Sequence, residues 1–237
     1  MDILKFHLEN TDIRALYWCL YNYGPPSNGD RNENVKELGY ANLSMESIRE
    51  LSLLLRGYKV LSIGSGVALN EAILQKIYDI TTIATDPFLT HNTTPDKVYM
   101  KVQNMTAQQA IMKHGDKHDV LLLSWPYINN DDDWDFQALK LFHQLYPTKK
   151  FVYIGEEKGG CTGTSSFHDY LNNHFTLCSE ITYPNWALPL HGYAESLAFI
   201  KEQMEKITDP NMKQIIETEM KFCGDLTDRI MFFEPKK

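Results

Sequence analysis

The sequence has no excess of basic residues, no paired cysteines and no long apolar run, and each absence removes a class of function. Its 23 Lys and Arg stand against 31 Asp and Glu, a formal net charge of −8. Affinity for nucleic acid rests on neutralising many phosphates, so this balance argues against extended nucleic-acid binding and favours a small-molecule or protein partner. The four cysteines, Cys19, Cys161, Cys178 and Cys223, lie far apart with no Cys-x-x-Cys spacing. They point to a reducing compartment and to neither a zinc site nor a disulfide scaffold. No metal site is expected, since His168, His174 and His191 show no paired ligand spacing. No stretch reaches the ~20 apolar residues that span a bilayer. Asp2, Lys5, Glu9, Asp12 and Arg14 break up the first twenty residues, where a signal peptide would keep an apolar core. The expectation is a soluble, cytoplasmic protein without a membrane partner; the sequence does not fix its oligomeric state.

What the chain does have is a short apolar run, Lys59-Val60-Leu61-Ser62-Ile63, that stops at Gly64-Ser65-Gly66 and feeds a helical pattern through Val67-Ala68. This reads as a buried strand, a tight turn and a helix start. Glycine has no Cβ, so such a turn lets a ligand lie against bare backbone at the carboxyl edge of a parallel sheet. The next apolar run, 80–85, ends in Asp86, ~20 residues after the glycines, the spacing at which nucleotide sites place a carboxylate on ribose hydroxyls. Both segments together suggest an adenosine-containing cofactor.

With 237 residues, one α/β domain with additions is the simplest reading. Residues 1–57 read as a helical N-terminal extension, either a cap over a ligand or a shield for one sheet face. It comprises a helix over 12–23, the breaking loop Gly24-Pro25-Pro26-Ser27-Asn28-Gly29-Asp30, and a helix capped by Ser44 and stopped by Gly57. In that second helix Ile48, Leu51, Leu54 and Leu55 form the buried face. Residues 58–237 then alternate strand and helix, the pattern of a parallel sheet covered on both faces. Strands are expected at 59–63, 80–85, 97–102, 119–124, 150–154 and 175–183, and helices at 69–78, 106–114, 133–145 and 165–173. Two polar-faced helices near 194–222 read as an insertion, and Arg229-Ile230-Met231-Phe232-Phe233 as a seventh strand. The fold class is α/β, a Rossmann-like three-layer sandwich whose mostly parallel seven-stranded sheet ends in an antiparallel last strand.

The order of these motifs resembles the class I S-adenosylmethionine-dependent methyltransferases over roughly residues 58–237. In that superfamily a glycine loop follows the first strand, an acid ends the second, a polar residue follows the third, and a polar-plus-proline element ends the fourth. This chain offers Gly64-Ser65-Gly66, Asp86-Pro87, Gln103-Asn104-Met105 and Ser124-Trp125-Pro126-Tyr127. Ser-Trp-Pro followed by Gly-Gly-Cys-Thr-Gly is similar to a group of methyltransferase-like proteins without a settled substrate. The resemblance implies S-adenosylmethionine as cofactor, held by Gly64, Ser65, Gly66, Asp86, Pro87, Asn104, Met105 and Ser124. There are departures: Ser62 stands where an acid usually precedes the first glycine, the third small residue is Ala68, and Asn104 stands where an acid often faces the adenine. An Asn carbonyl can still accept the adenine amino group.

Ser124, Trp125, Pro126 and Tyr127 are the expected reaction-centre residues. They resemble the Asp/Asn/Ser-Pro-Pro-aromatic signature of amino-group methyltransferases, with Trp125 in place of the first proline. A loop held by Pro126 presents carbonyl acceptors rigidly, and either aromatic can stack on a flat substrate or lie beside a sulfonium. Methyl transfer from a sulfonium needs positioning more than acid–base chemistry, so no catalytic triad is required. Glu156 and Cys161, in the glycine-rich loop after the fifth strand, are candidate substrate contacts: Glu156 or the adjacent Glu157 as base or cation partner, the thiol near a helix start. Asp131-Asp132-Asp133 reads as a solvated helix start favoured by the dipole. The expected activity is methyl transfer to a nitrogen or oxygen of a small-molecule or exposed macromolecular acceptor. Two alternatives stay open, a catalytically inactive binding scaffold of the same fold and an NAD(P)-dependent oxidoreductase.

Overall fold

The computed structural model describes residues 12–14, 38–41, 43, 45–87, 97–128, 132–160, 162–182 and 229–236. The first helix in this set, α1 (Met45–Leu54), ends just before the left-handed Gly57 and buries Ile48 and Leu51 completely. Strand β1 (Val60–Ile63) follows and is buried along its whole length, as a continuous apolar run demands at the centre of a parallel sheet. Then come α2 (Leu69–Tyr78), β2 (Thr82–Asp86), β3 (Val102–Asn104), α3 (Ala107–His114), β4 (Val120–Ser124), α4 (Trp134–Leu145), β5 (Lys150–Gly155), α5 (Ser165–His174), β6 (Phe175–Thr182) and β7 (Arg229–Pro235).

These strands form one seven-stranded sheet in the order β3-β2-β1-β4-β5-β7-β6. From β3 to β5 every neighbouring pair is parallel, while β7 runs antiparallel between β5 and β6. The chain end therefore supplies an interior strand of the sheet. Side chains alternate between two cores as the period of a strand requires. Val60, Val120, Leu122, Val152, Ile154, Ile230 and Phe232 face α1 and α2 on one side. Leu61, Ile63, Leu121, Leu123, Phe151, Tyr153, Met231 and Phe233 face α3, α4 and α5 on the other. Three layers result, and α1 covers the sheet on the same face as α2.

Helix ends follow from local chemistry. Thr106 and Gln109 make a reciprocal capping box at the start of α3, and the Thr164 hydroxyl caps α5 by accepting from the Phe167 amide. The third strand departs from expectation. Residues 97–101 do not pair with β2; instead the Tyr99 amide donates to the Val67 carbonyl at 2.9 Å, tying the segment to the glycine turn, and only Val102–Asn104 join Ala84–Asp86. Apolar content alone at 97–102 could not reveal that this amide was committed elsewhere. Ser44, the helix over 15–23, the strand end at Tyr183 and the helices near 194–222 lie outside the described residues.

β1 and β4 are adjacent, and the connections that leave them go to opposite sides. A crevice opens outside the carboxyl ends of strands at such a switch point, which places the residues after β1, β2 and β4 around one cleft.

Candidate functional site

Leaving β1, the chain alternates left-handed residues: Gly64 at φ 64°, Gly66 at φ 53° and Ala68 at φ 56°. The Ser65 amide and hydroxyl both donate to the Thr85 carbonyl, at 3.1 and 3.3 Å, and clamp the turn to β2. The two glycines answer different needs. A Cβ on Gly64 would lie 3.2 Å from the Trp134 ring, whereas one on Gly66 would meet nothing within 4 Å. Packing demands the first; the second leaves bare backbone open to a ligand.

Asp86 ends β2 beside this opening, and its Oδ2 accepts the Gly66 amide at 2.9 Å. In the β2–β3 register Asp86 lies opposite Asn104, and the Met105 amide donates to the Asp86 carbonyl at 3.2 Å. Pro87 follows directly and is half-buried. The residues from three strand ends, Gly66, Asp86 with Pro87, and Asn104 with Met105, thus converge on one stretch of the sheet edge.

Under the turn lies a pair the sequence did not announce. Ser62 is fully buried and donates to the Glu71 carboxylate at 2.7 Å. Glu71 is itself 2% exposed, and burial pushes its carboxyl above the usual range, with the Ser62 bond opposing that shift and the Asp86 charge adding to it.

At the end of β4, Ser124 is half-buried. Trp125 holds the left-handed region at φ 50°, rare for a bulky side chain. Its amide donates to the Ile154 carbonyl at 2.7 Å, and its ring stacks on Tyr40 at 5.3 Å and packs against the core on the α1 and α2 face. Trp125 is thereby turned away from Tyr127, which reaches the other face and stands 6.3 Å from Trp134. Tyr127 is 49% exposed. Partial burial raises its phenol pKa, followed by the charges of Asp132 and Asp86, so it is a protonated donor at neutral pH.

The loop after β5 joins this element edge to edge. Gly163 donates to the Pro126 carbonyl at 3.0 Å, and Tyr127 bridges Thr162. Thr162 in turn accepts the Glu156 amide at 2.7 Å, pairs with the Tyr153 hydroxyl at 2.7 Å, and gives its carbonyl to His168 at 3.0 Å. A Cβ on Gly160 would strike the Glu156 carboxylate at 2.3 Å, and one on Gly155 would strike Thr162 and Tyr153 at 2.7 Å. The glycines let the loop wrap its own polar network. Glu156 is enclosed, only 5% exposed, while Glu157 turns outward to Arg229 at 2.7 Å. The Pro126 carbonyl is already engaged, so Ser124 and Tyr127 are the polar side chains this element brings to the cleft. Cys161 lies outside the described residues.

Trp134, Glu71 and Thr162 were not singled out in the sequence. Trp134 opens α4 right after the Asp run and leans over Gly64; its enclosed Nε1 has no hydrogen-bond partner among the described residues. An aromatic at a helix start reads as core, and only the fold shows that this one borders the cleft. Among the described residues no three His, Cys, Asp or Glu side chains group as a metal site, and no helix is long and apolar enough to cross a membrane.

A mostly parallel seven-stranded sheet with β7 reversed between β5 and β6, a glycine turn at its switch point and helices on both faces defines a Rossmann-like three-layer fold. No protein-family description matches the chain, and no curated protein matches it. Solved structures are similar in chain path. One is a SAM-dependent methyltransferase from Archaeoglobus fulgidus, 13% identical, covering 86% of this chain and 100% of the other at a TM-score of 0.47. Another is the tRNA methyltransferase TrmK of B. subtilis, 9% identical, covering 81% and 66% at 0.45. A third is TrmN from Thermus thermophilus, 10% identical, covering 81% of this chain and 48% of that one at 0.43. The chain thus spans about half of TrmN's length.

Proposed function

We propose that the protein is an S-adenosylmethionine-dependent methyltransferase that acts on a nitrogen or oxygen of a small-molecule or exposed macromolecular acceptor. The observation that carries this reading is the Asp86–Gly66 contact: a strand-end carboxylate 2.9 Å from an amide whose Cβ side is open space. Such a cradle fits the ribose of an adenosine, with the remaining carboxylate capacity of Asp86 directed to vicinal hydroxyls and Asn104 and Met105 beside the base. When bound, the cofactor supplies a methyl group already activated on a sulfonium, so its transfer to an acceptor lone pair leaves a neutral thioether and frees one proton. Ser124 and the Tyr127 hydroxyl would orient that acceptor, and Tyr127 with Trp134 would exclude water from one side. The pinned loop through Thr162 holds Tyr127 in place.

Calorimetry with S-adenosylhomocysteine and, separately, NADH tests the cofactor. Binding of the first and not the second is expected; the reverse would make the protein an oxidoreductase. Asp86→Ala should weaken S-adenosylhomocysteine binding by ~1–3 kcal/mol through loss of a charge-assisted bond. Asp86→Asn, which can still accept the Gly66 amide, separates loss of charge from loss of the turn's brace. Transfer of labelled methyl into an extract, resolved into protein, nucleic-acid and metabolite fractions, identifies the acceptor. Tyr127→Ala and Ser124→Ala should lower that transfer with cofactor affinity nearly unchanged. Tight cofactor binding with no transfer into any fraction would favour the scaffold alternative.

A further inference from the structure

We propose that His168 is a positioning residue for methyl transfer, one that fixes the Ser124-Trp125-Pro126-Tyr127 element through a single peptide group of the loop after β5. The role rests on the methyltransferase reading above. His168 lies near the start of α5, 5% exposed, with its ring edge-on to Tyr153 at 5.6 Å and to Phe167 at 5.2 Å. That niche is aromatic and suits a phenyl ring. An imidazole brings polar edges into it, which costs free energy unless they are bonded. Its Nε2 lies 3.0 Å from the Thr162 carbonyl. A carbonyl oxygen only accepts, so Nε2 carries the proton and donates.

The Thr162 carbonyl and the Gly163 amide belong to one peptide group. His168 holds its oxygen, and its N–H donates to the Pro126 carbonyl at 3.0 Å, so one rigid plane runs from α5 to the proline of the reaction-centre element. Hydrogen bonds in series strengthen one another, so a donor on the carbonyl also firms the amide's grip on Pro126. Gly163 holds φ 74°, and a Cβ there would lie 2.7 Å from His168 Nε2; the turn gives up a side chain where the ring comes in. The next residue is pinned separately, its Thr164 amide donating to Asp135 at 2.6 Å in the first turn of α4. With that end fixed, the bond from His168 sets the rotation of the peptide plane between them. Tyr127 follows Pro126 directly and is bridged to Thr162, so rotation of this plane moves the phenol that orients the acceptor. Transfer between a sulfonium and a lone pair is sensitive to displacements of about 1 Å. His168 acts on the reaction through the peptide.

The test separates the donor from the ring, on the full chain. His168→Gln places an amide nitrogen where Nε2 stands and gives up the ring; His168→Phe keeps the ring and gives up the donor. Solvent exchange of the Gly163 amide, followed by NMR, is measured beside labelled methyl transfer into an extract and calorimetry with S-adenosylhomocysteine. In His168→Phe the Gly163 amide should exchange about tenfold faster and transfer should fall about tenfold, the scale of one hydrogen bond, with S-adenosylhomocysteine affinity unchanged. His168→Gln should keep the protection of Gly163 and most of the transfer. His168→Asn, whose amide nitrogen falls where Nδ1 stands, is a second donor-loss variant that serves if His168→Phe melts early, and it should show the same losses. Wild-type exchange and transfer in His168→Phe would overturn the proposal, and so would a loss in His168→Gln as deep as in His168→Phe, because packing of the ring would then be its whole role. A wild-type chain that transfers no methyl would overturn the reading on which the proposal rests, a result seen without any variant and so distinct from the other two.

Discussion

At the scale of single residues, the two glycines of the turn make opposite demands that substitution can separate. Gly64→Ala places a methyl against Trp134 at a positive φ, so it should lower the melting temperature with a cost of about 1–3 kcal/mol. Gly66→Ala carries the backbone strain without the collision, and its methyl enters the space assigned to the cofactor. It should therefore cost less in a thermal melt and more in calorimetry with S-adenosylhomocysteine. Glu71 yields a pH prediction. Its folded pKa is raised, so the folded chain holds this proton more tightly than the unfolded chain, and the stability it contributes is complete at acid pH and lost as pH rises through the folded pKa. Glu71→Gln should accordingly raise the melting temperature at neutral pH and leave it nearly unchanged below the usual carboxylate range. Gly64, Gly66 and Asp86 were legible in the sequence because their residue types and spacing are enough to mark a turn and a strand-end acid. Glu71 was not, because an acid in the first turn of a helix is ordinarily explained by the helix dipole, and nothing local says it will be buried.

At the scale of elements, β7 and the loop after β5 hold the sheet edge together. Ile230, Met231, Phe232 and Phe233 are each 7% exposed or less, and the strand pairs on both sides. At about 1.5–3 kcal/mol for each large apolar side chain buried, deletion of 229–237 should abolish the cooperative melt; a truncated chain melting at the wild-type temperature would contradict the interior placement. The loop network centres on Thr162, whose hydroxyl is shared by Tyr153 and the Glu156 amide. Thr162→Val keeps the shape and removes both partners, leaving a buried amide unpaired at a cost of about 1–3 kcal/mol. It should also lower methyl transfer more than cofactor affinity, because Tyr127 is bridged to this residue. The helix limits at 69–78 were evident from period alone, while β3 contracted to three residues because the Tyr99 amide bonds the glycine turn. Competition for one amide is a tertiary fact, and no window of sequence contains both partners' commitments.

For the whole molecule, net charge sets the partner class. With −8 overall, retention on immobilised heparin at physiological salt should be negligible, and methyl transfer should vary little between low and moderate salt. A steep loss of transfer with salt would instead indicate a polyanionic acceptor docked on a local basic patch.

The sequence by itself determined the alternation of strands and helices, the glycine turn, the acid ending β2 and the proline element ending β4, because each depends on neighbours within a few residues: an apolar period, a missing Cβ, a fixed φ. The tertiary structure alone decided which of these share a cleft and what each side chain there does. It sent Trp125 to the face of Tyr40 and Tyr127 to that of Trp134, engaged the Pro126 carbonyl with Gly163, enclosed Glu156, and brought Glu71 to Ser62. Those outcomes follow from strand order and from which donors are already taken. Both are set by contacts between residues far apart in the chain, where local propensity has no purchase.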